Sequence, residues 1–148
     1  MSQTNLNALD LNTAYPRSPR VTVGGYVVAG RVLDKCRAVL AGTNGEYHFA
    51  CPLDQTFFDF AGIEADAFKD FVATGADDEA VGKWIQENAK EQTREEVVAW
   101  NNQMRDTRIS DMPIKLQVFL EDYIPECLPA GRVVYHWFDV YDIEEERI

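Results

Sequence analysis

His48 and Cys51 stand three positions apart just ahead of Pro52, and together they offer the sharpest chemistry in the chain, an imidazole base beside a thiol. Pro52 is a favoured first residue of a helix. It places Cys51 at a helix N-terminus, where the backbone dipole stabilises a thiolate. These two residues are the candidate catalytic groups. Against them stands the ordinary behaviour of both types: a free Cys is among the most buried residues, and a lone His usually makes a structural hydrogen bond. Glu46, His48 and Asp54, beside Tyr47, form a second candidate as an acid–base set. The structural alternative is that Asp54 satisfies donors in the first helical turn and Glu46 pairs with Lys35.

The broader lead is cationic. Residues 1–40 carry Arg17, Arg20, Arg31, Lys35 and Arg37 against Asp10 and Asp34, whereas the remainder carries 9 cations against 23 carboxylates. A net charge of −11 repels anions at long range, but a local basic cluster can still hold one at contact. The candidate ligand-binding residues are Arg17, Arg20, Arg31, Lys35, Arg37, Tyr47 and His48, arranged as a fork for a carboxylate or phosphate. The competing reading is that these cations pair with the acidic body, and Asp34 has the spacing for intrahelical pairs with Arg31 and Arg37.

Other chemistries find less support. Cys36, His48, Cys51, Cys127 and His136 include no Cys-x-x-Cys or His-x-x-x-His pair, so no metal and no cofactor is expected. The chain contains no Gly-rich phosphate loop, no Gly-x-Ser-x-Gly elbow and no dinucleotide fingerprint. With 14 Lys plus Arg against 25 Asp plus Glu, a nucleic-acid backbone binder is excluded as a working class.

The elements that must position these groups read as helices. Apolar residues from Gly24 to Leu40 recur at helical spacing on a broad face, with Arg31, Asp34, Lys35 and Arg37 on a narrow strip and Gly42 as the stop. Residues 46–51 alternate and read as a short extended connection. Pro52 opens a helix that Gly62 ends, and residues 65–73 and 78–89 are amphipathic. Thr93 and Glu96 form a capping box ahead of Val97, Trp100 and Met104. Pro113 opens a helix with Leu116, Phe119, Leu120 and Tyr123 inward, closed by Pro125, Pro129 and Gly131. Residues 133–143 favour strand by propensity and helix by spacing; helix is preferred. The Trp and Phe residues of these helices read as core.

The expectation is an all-α protein, a compact bundle of about six helices with one short extended segment. An extended arm covers residues 1–20, a single helical domain 21–143 and a mobile acidic tail 144–148. A length of 148 residues, 46% of them hydrophobic, suits one globular domain, and three Cys do not make a disulfide framework. The first thirty residues lack a leader pattern and no stretch nears 18 consecutive apolar residues, so a cytoplasmic protein with no membrane span is expected.

Several blocks taken together carry a resemblance. They are Pro16-Arg17-Ser18-Pro19-Arg20, Gly24-Gly25-Tyr26, Arg31, Asp34-Lys35, Arg37-Ala38, Gly45-Glu46-Tyr47-His48, Cys51-Pro52-Leu53-Asp54 and Trp137-Phe138-Asp139. The combination resembles a bacterial family of single-domain proteins known only as a domain of unknown function. The resemblance implies that the polar blocks are where such proteins look alike, and it brings no activity, substrate or cofactor. Two functional readings follow from the residues. One is a protein that binds a small anionic molecule, with enzymatic activity left open; the other is a non-catalytic interaction module whose acidic surface meets a basic protein partner.

Overall fold

The computed structural model describes residues 6–148; the first five positions of the expected arm lie outside that range. Gly24 and Gly25 take φ of 64° and 89°, which lets the chain reverse between Val23 and Tyr26, and these two exchange backbone hydrogen bonds of 3.2 and 3.3 Å. The reversal explains why helix α1 spans Ala29–Ala41 and does not begin at Gly24 as periodicity suggested. Gly42, at φ 73°, ends it in the left-handed conformation.

Six further α-helices follow: α2 (Pro52–Ala61), α3 (Ala65–Val72), α4 (Asp78–Asn88), α5 (Arg94–Arg105), α6 (Ile114–Cys127) and α7 (Trp137–Glu144). A single 3₁₀ turn covers Ile109–Asp111, and no strand occurs among the described residues. The protein is therefore all-α, as the periodicity indicated. Pro52 stands in the first turn of α2 and Gly62 closes it at φ 70°. The capping box forms as expected, with Thr93 Oγ1 accepting from the Glu96 N–H at 3.1 Å and Glu96 Oε1 accepting from the Thr93 N–H at 3.2 Å.

The chain divides into two compact units, one ending at Val97 and the other spanning Val98–Ile148. In the first, α1 packs on α2 and α3 around Val32, Leu33, Phe57, Phe58 and Phe68, all buried. Phe58 and Phe68 meet edge to face with centroids 5.5 Å apart, and Phe71 stacks on Trp84 at 5.4 Å. The arm is fastened along α1 and its exit: the Val28 N–H donates to the Pro19 carbonyl at 2.7 Å and the Leu11 N–H to the Thr43 carbonyl at 2.8 Å. Turns at 45–46 and 49–50 break up the extended segment expected over 46–51, where Asn44 binds the Tyr47 carbonyl at 2.8 Å and Ala50 takes φ 61°.

Gly24 and Gly82 meet backbone to backbone. A Cβ at Gly82 would lie 3.2 Å from the Gly24 nitrogen and 3.4 Å from its Cα. Ala at a helix interior ordinarily gains about 1 kcal/mol over Gly, while overpacking costs about 1–3 kcal/mol. The neighbour here is backbone and cannot swing aside. Gly82→Ala is therefore expected to destabilise by about 1 kcal/mol in urea titration, opposite in sign to its helix propensity.

In the second unit, Leu120, Leu128, Phe138, Val140 and Ile143 are buried. Arg108 and His136 pair as an isolated antiparallel bridge, and the Ile109 N–H donates to the Tyr135 carbonyl at 2.8 Å. Residues 133–136 are thus held non-helical, and only Trp137–Glu144 realises the helix preferred for 133–143. Helix α6 runs past Pro125 to Cys127, because a proline so near the end disrupts only one intrahelical bond and the Leu128 N–H still reaches Ile124 at 3.0 Å. The Tyr123 hydroxyl donates to Glu144 at 2.5 Å; burial, with this bond second, pushes the phenol pKa up from its ordinary value. In the terminal stretch Glu145 is buried, and Arg147 contacts Asp142 at 2.9 Å and Glu145 at 2.7 Å.

Candidate functional site

The polar strip of α1 is not a solvated edge. Arg31, Asp34, Lys35 and Arg37 are all buried, because the arm and the starts of α2 and α4 supply charged partners to them. Asp34 gives both oxygens to Arg17. It accepts from the Arg17 backbone N–H at 2.8 Å, from Nε at 3.0 Å and from Nη2 at 3.1 Å. A carboxylate that binds main chain and guanidinium of one residue fixes the arm as well as the charge.

Asp78, in the first turn of α4, joins the same cluster. It contacts Arg17 Nη1 and Arg37 Nη1, each at 2.8 Å, and Arg37 also donates to the Ala76 carbonyl at 2.9 Å. Lys35 forms a separate pair with Asp54 of α2, Nζ to Oδ1 at 2.9 Å, with the two side chains 4% and 0% exposed. Asp54 Oδ2 accepts the Ala50 N–H at 3.0 Å. Lys35 Nζ further donates to Cys51 Sγ at 3.2 Å. The Arg31 guanidinium lies 5.6 Å from the centre of the Tyr47 ring and donates to the Arg17 carbonyl at 3.3 Å.

Arg17 and Arg37 thus share Asp78, Arg31 reaches Arg17 and Tyr47, and Lys35 stands in its separate pair, so that Arg17, Lys35 and Arg37 each meet a carboxylate already. Arg20 is half-buried, its backbone N–H on Ser18 Oγ at 3.1 Å. His48 is exposed, and no hydrogen bond between it and Cys51 is present among the described residues; the group on the Cys51 sulfur is Lys35. Among the described residues Asp34 pairs with Arg17 of the arm and not within its own helix, and Lys35 takes Asp54 where sequence spacing offered Glu46. Among the described residues no group of three or more His, Cys, Asp and Glu is placed to hold a metal ion. Likewise, no helix among them is long and apolar enough to cross a membrane.

The electrostatics have a pH consequence. Burial opposes ionisation of Asp78, but hydrogen bonds from Arg17 and Arg37 outweigh it and hold the carboxyl below its ordinary 3.8. A folded-state value below the unfolded one adds stability above the ordinary carboxylate range, and this is lost as pH falls through the folded value. Asp78→Asn is expected to flatten the acid limb of a Tm-versus-pH curve below about pH 4 and to change its slope little near neutrality. An unchanged acid limb would show that Asp78 does not carry it.

Sequence reasoning missed a second region. Among the hydrophobic side chains of α6, Ile114, Val118 and Phe119 are 69%, 58% and 58% exposed, although Phe119 was expected inward. Along α6 runs a cleft of about 300 Å³ whose lining includes the charged Arg108 and Glu121 together with Ile109, Gln117, Leu120, Ile124, Val134 and Tyr135. At 100° per residue, Ile114 and Val118 stand next to the cleft-lining Gln117 and Glu121 on the helix surface. Glu121, Asp122 and Glu126 on α6 are exposed, with Lys115 the helix's one cation. The available signal was that α6 carries apolar residues on more than one face, which a single buried stripe does not require.

The fold and these side chains define a class: a small all-α protein with a carboxylate-neutralised charge cluster in one unit and, in the other, a cleft of mixed polar and apolar lining beside an exposed apolar helix face. The family described as Domain of unknown function (DUF5069) matches residues 13–147, and the chain belongs to it. No curated protein matches the chain.

Proposed function

We propose that this protein is a non-catalytic interaction module whose second unit binds a basic, apolar-faced helical segment of another protein. The observation that carries the reading is the exposure of Ile114 and Val118 beside the cleft that Gln117 and Glu121 help to line. Adjacent large apolar side chains left in water mark contact surfaces, and a cleft gives an anchor residue a pocket. The carboxylates of α6 favour a cationic partner, and they disfavour a second copy of this chain, which carries a net charge of −11. Three free cysteines suit a reducing, cytoplasmic setting.

The small-anion reading has weaker support. Arg17, Lys35 and Arg37 are matched by Asp34, Asp54 and Asp78, so a ligand anion would have to compete with carboxylates already in contact. The interaction reading is tested with a synthetic Leu/Lys amphipathic helix, dye-labelled and titrated with full-length protein at low salt. Saturable binding that weakens at least tenfold in Val118→Asp, with unchanged circular dichroism, is expected. Equal binding by wild type and variant would remove α6 from the account, and no binding would remove the reading.

A further inference from the structure

Cys51 has chemistry that an interaction module does not use. The residue is half-buried at the N-terminus of α2, held in extended geometry at φ −69° and ψ 172° by the Pro52 that follows. Within 3.2 Å of its sulfur sits the amine of Lys35, which also contacts Asp54 Oδ1 at 2.9 Å. Solvent reaches the cysteine, while Lys35 and Asp54 are shut in beneath it.

We propose that Cys51 and Lys35 form an oxidisable pair that a peroxide converts to a sulfenamide cross-link between α1 and the start of α2. In the first step the thiol attacks hydrogen peroxide: the O–O bond breaks, sulfur is oxidised by two electrons to the sulfenic acid, and water leaves. In the second, Lys35 passes its extra proton to the Asp54 carboxylate. The neutral nitrogen then attacks sulfur, forming N–S as S–O breaks, and the hydroxyl departs as a second water with a proton from nitrogen. No further oxidant is needed. The buried ammonium and carboxylate both become neutral in this step, so a buried charge pair is replaced by a covalent bond and a neutral acid. The 3.2 Å approach puts the two reacting atoms within attack distance before any rearrangement.

The other cysteines are the internal comparison. Cys36 is fully buried and its thiol is pushed up to about 12 by burial, so it stays unreactive. Cys127 is exposed and is removed as Cys127→Ser. The full-length C127S protein is treated with hydrogen peroxide, with and without dimedone, and mapped by peptide mass spectrometry. The expected product is a Cys51–Lys35 linked peptide pair lighter by two hydrogens than its reduced parts, with dimedone capturing little of Cys51. In Lys35→Met the linked pair vanishes and the dimedone adduct at Cys51 accumulates. Should K35M fail to fold, the C127S map decides alone. Cys51 recovered there as the dimedone adduct or sulfinic acid with no linked pair overturns the proposal. So does Cys51 left unmodified by peroxide that oxidises a short peptide of residues 48–55.

Discussion

Lys35→Ala is expected to cost the protein about 3–5 kcal/mol of unfolding free energy, the range for removing one partner of a buried ion pair. Asp54 has no exposed surface, and after the substitution its Oδ1 would face neither water nor a cation. Much of the cost is that stranded charge, not the lost attraction. The double variant Lys35→Met with Asp54→Leu is therefore expected to recover most of the loss, since apolar replacements of similar volume are often neutral or stabilising. Urea unfolding followed by circular dichroism, with hydrogen exchange of the α1 amides, measures both. A double variant no more stable than the single one would mean that the pair is held for packing and not for charge compensation.

Asp34→Asn should be nearly as damaging, by about 3 kcal/mol, and it should act on a different part of the chain. Asp34 receives three hydrogen bonds from Arg17, including the backbone N–H, and an amide can accept with only one oxygen and carries no charge. Arg17 and the buried Arg37 would then share Asp78 alone. The arm is expected to open before the helices do, so trypsin should cut after Arg17 and Arg20 at native conditions in the variant and not in the wild type. Uniform loss of protection along the chain, with no preferential cutting in the arm, would contradict the clamp.

Both predictions turn on partners that lie far away in sequence, which explains what was readable in advance. Helix positions followed from local signals: Pro52 and Gly62 bound α2, and Thr93 with Glu96 starts α5. The cationic residues of α1 stood out by type and spacing; Arg31 reaches Tyr47, while Lys35 pairs apart from the Arg17–Arg37–Asp78 group. Their burial was not legible, because it depends on Asp78 and Asp54 being delivered by other helices across gaps of 61 and 19 residues from Arg17 and Lys35. Nothing local distinguishes Asp78 from any acidic residue in a first turn. His48 illustrates the converse: a spacing suited to thiol chemistry was present, yet the turns at 45–46 and 49–50 leave it exposed and give the sulfur to Lys35. The start of α1 was misread because Gly24 and Gly25 continue the apolar spacing while breaking the backbone geometry.

The exposed face of α6 was missed for a related reason. Leu116, Phe119, Leu120 and Tyr123 satisfy a helical stripe, and periodicity assigns every apolar residue of such a stripe to the interior. Phe119 packs on Tyr123 with centroids 5.4 Å apart while remaining largely in water. A contact surface therefore looks like core until the neighbouring elements are in place.

The most direct measurement of the central claim is an amide chemical-shift map of the full-length protein titrated with the Leu/Lys helix. The account predicts that shifts concentrate at Ile109, Gln117, Val118, Glu121 and Tyr135 and fade as salt is raised. Shifts centred on Arg17, Arg31 and Tyr47, or spread evenly over all acidic positions, would contradict it.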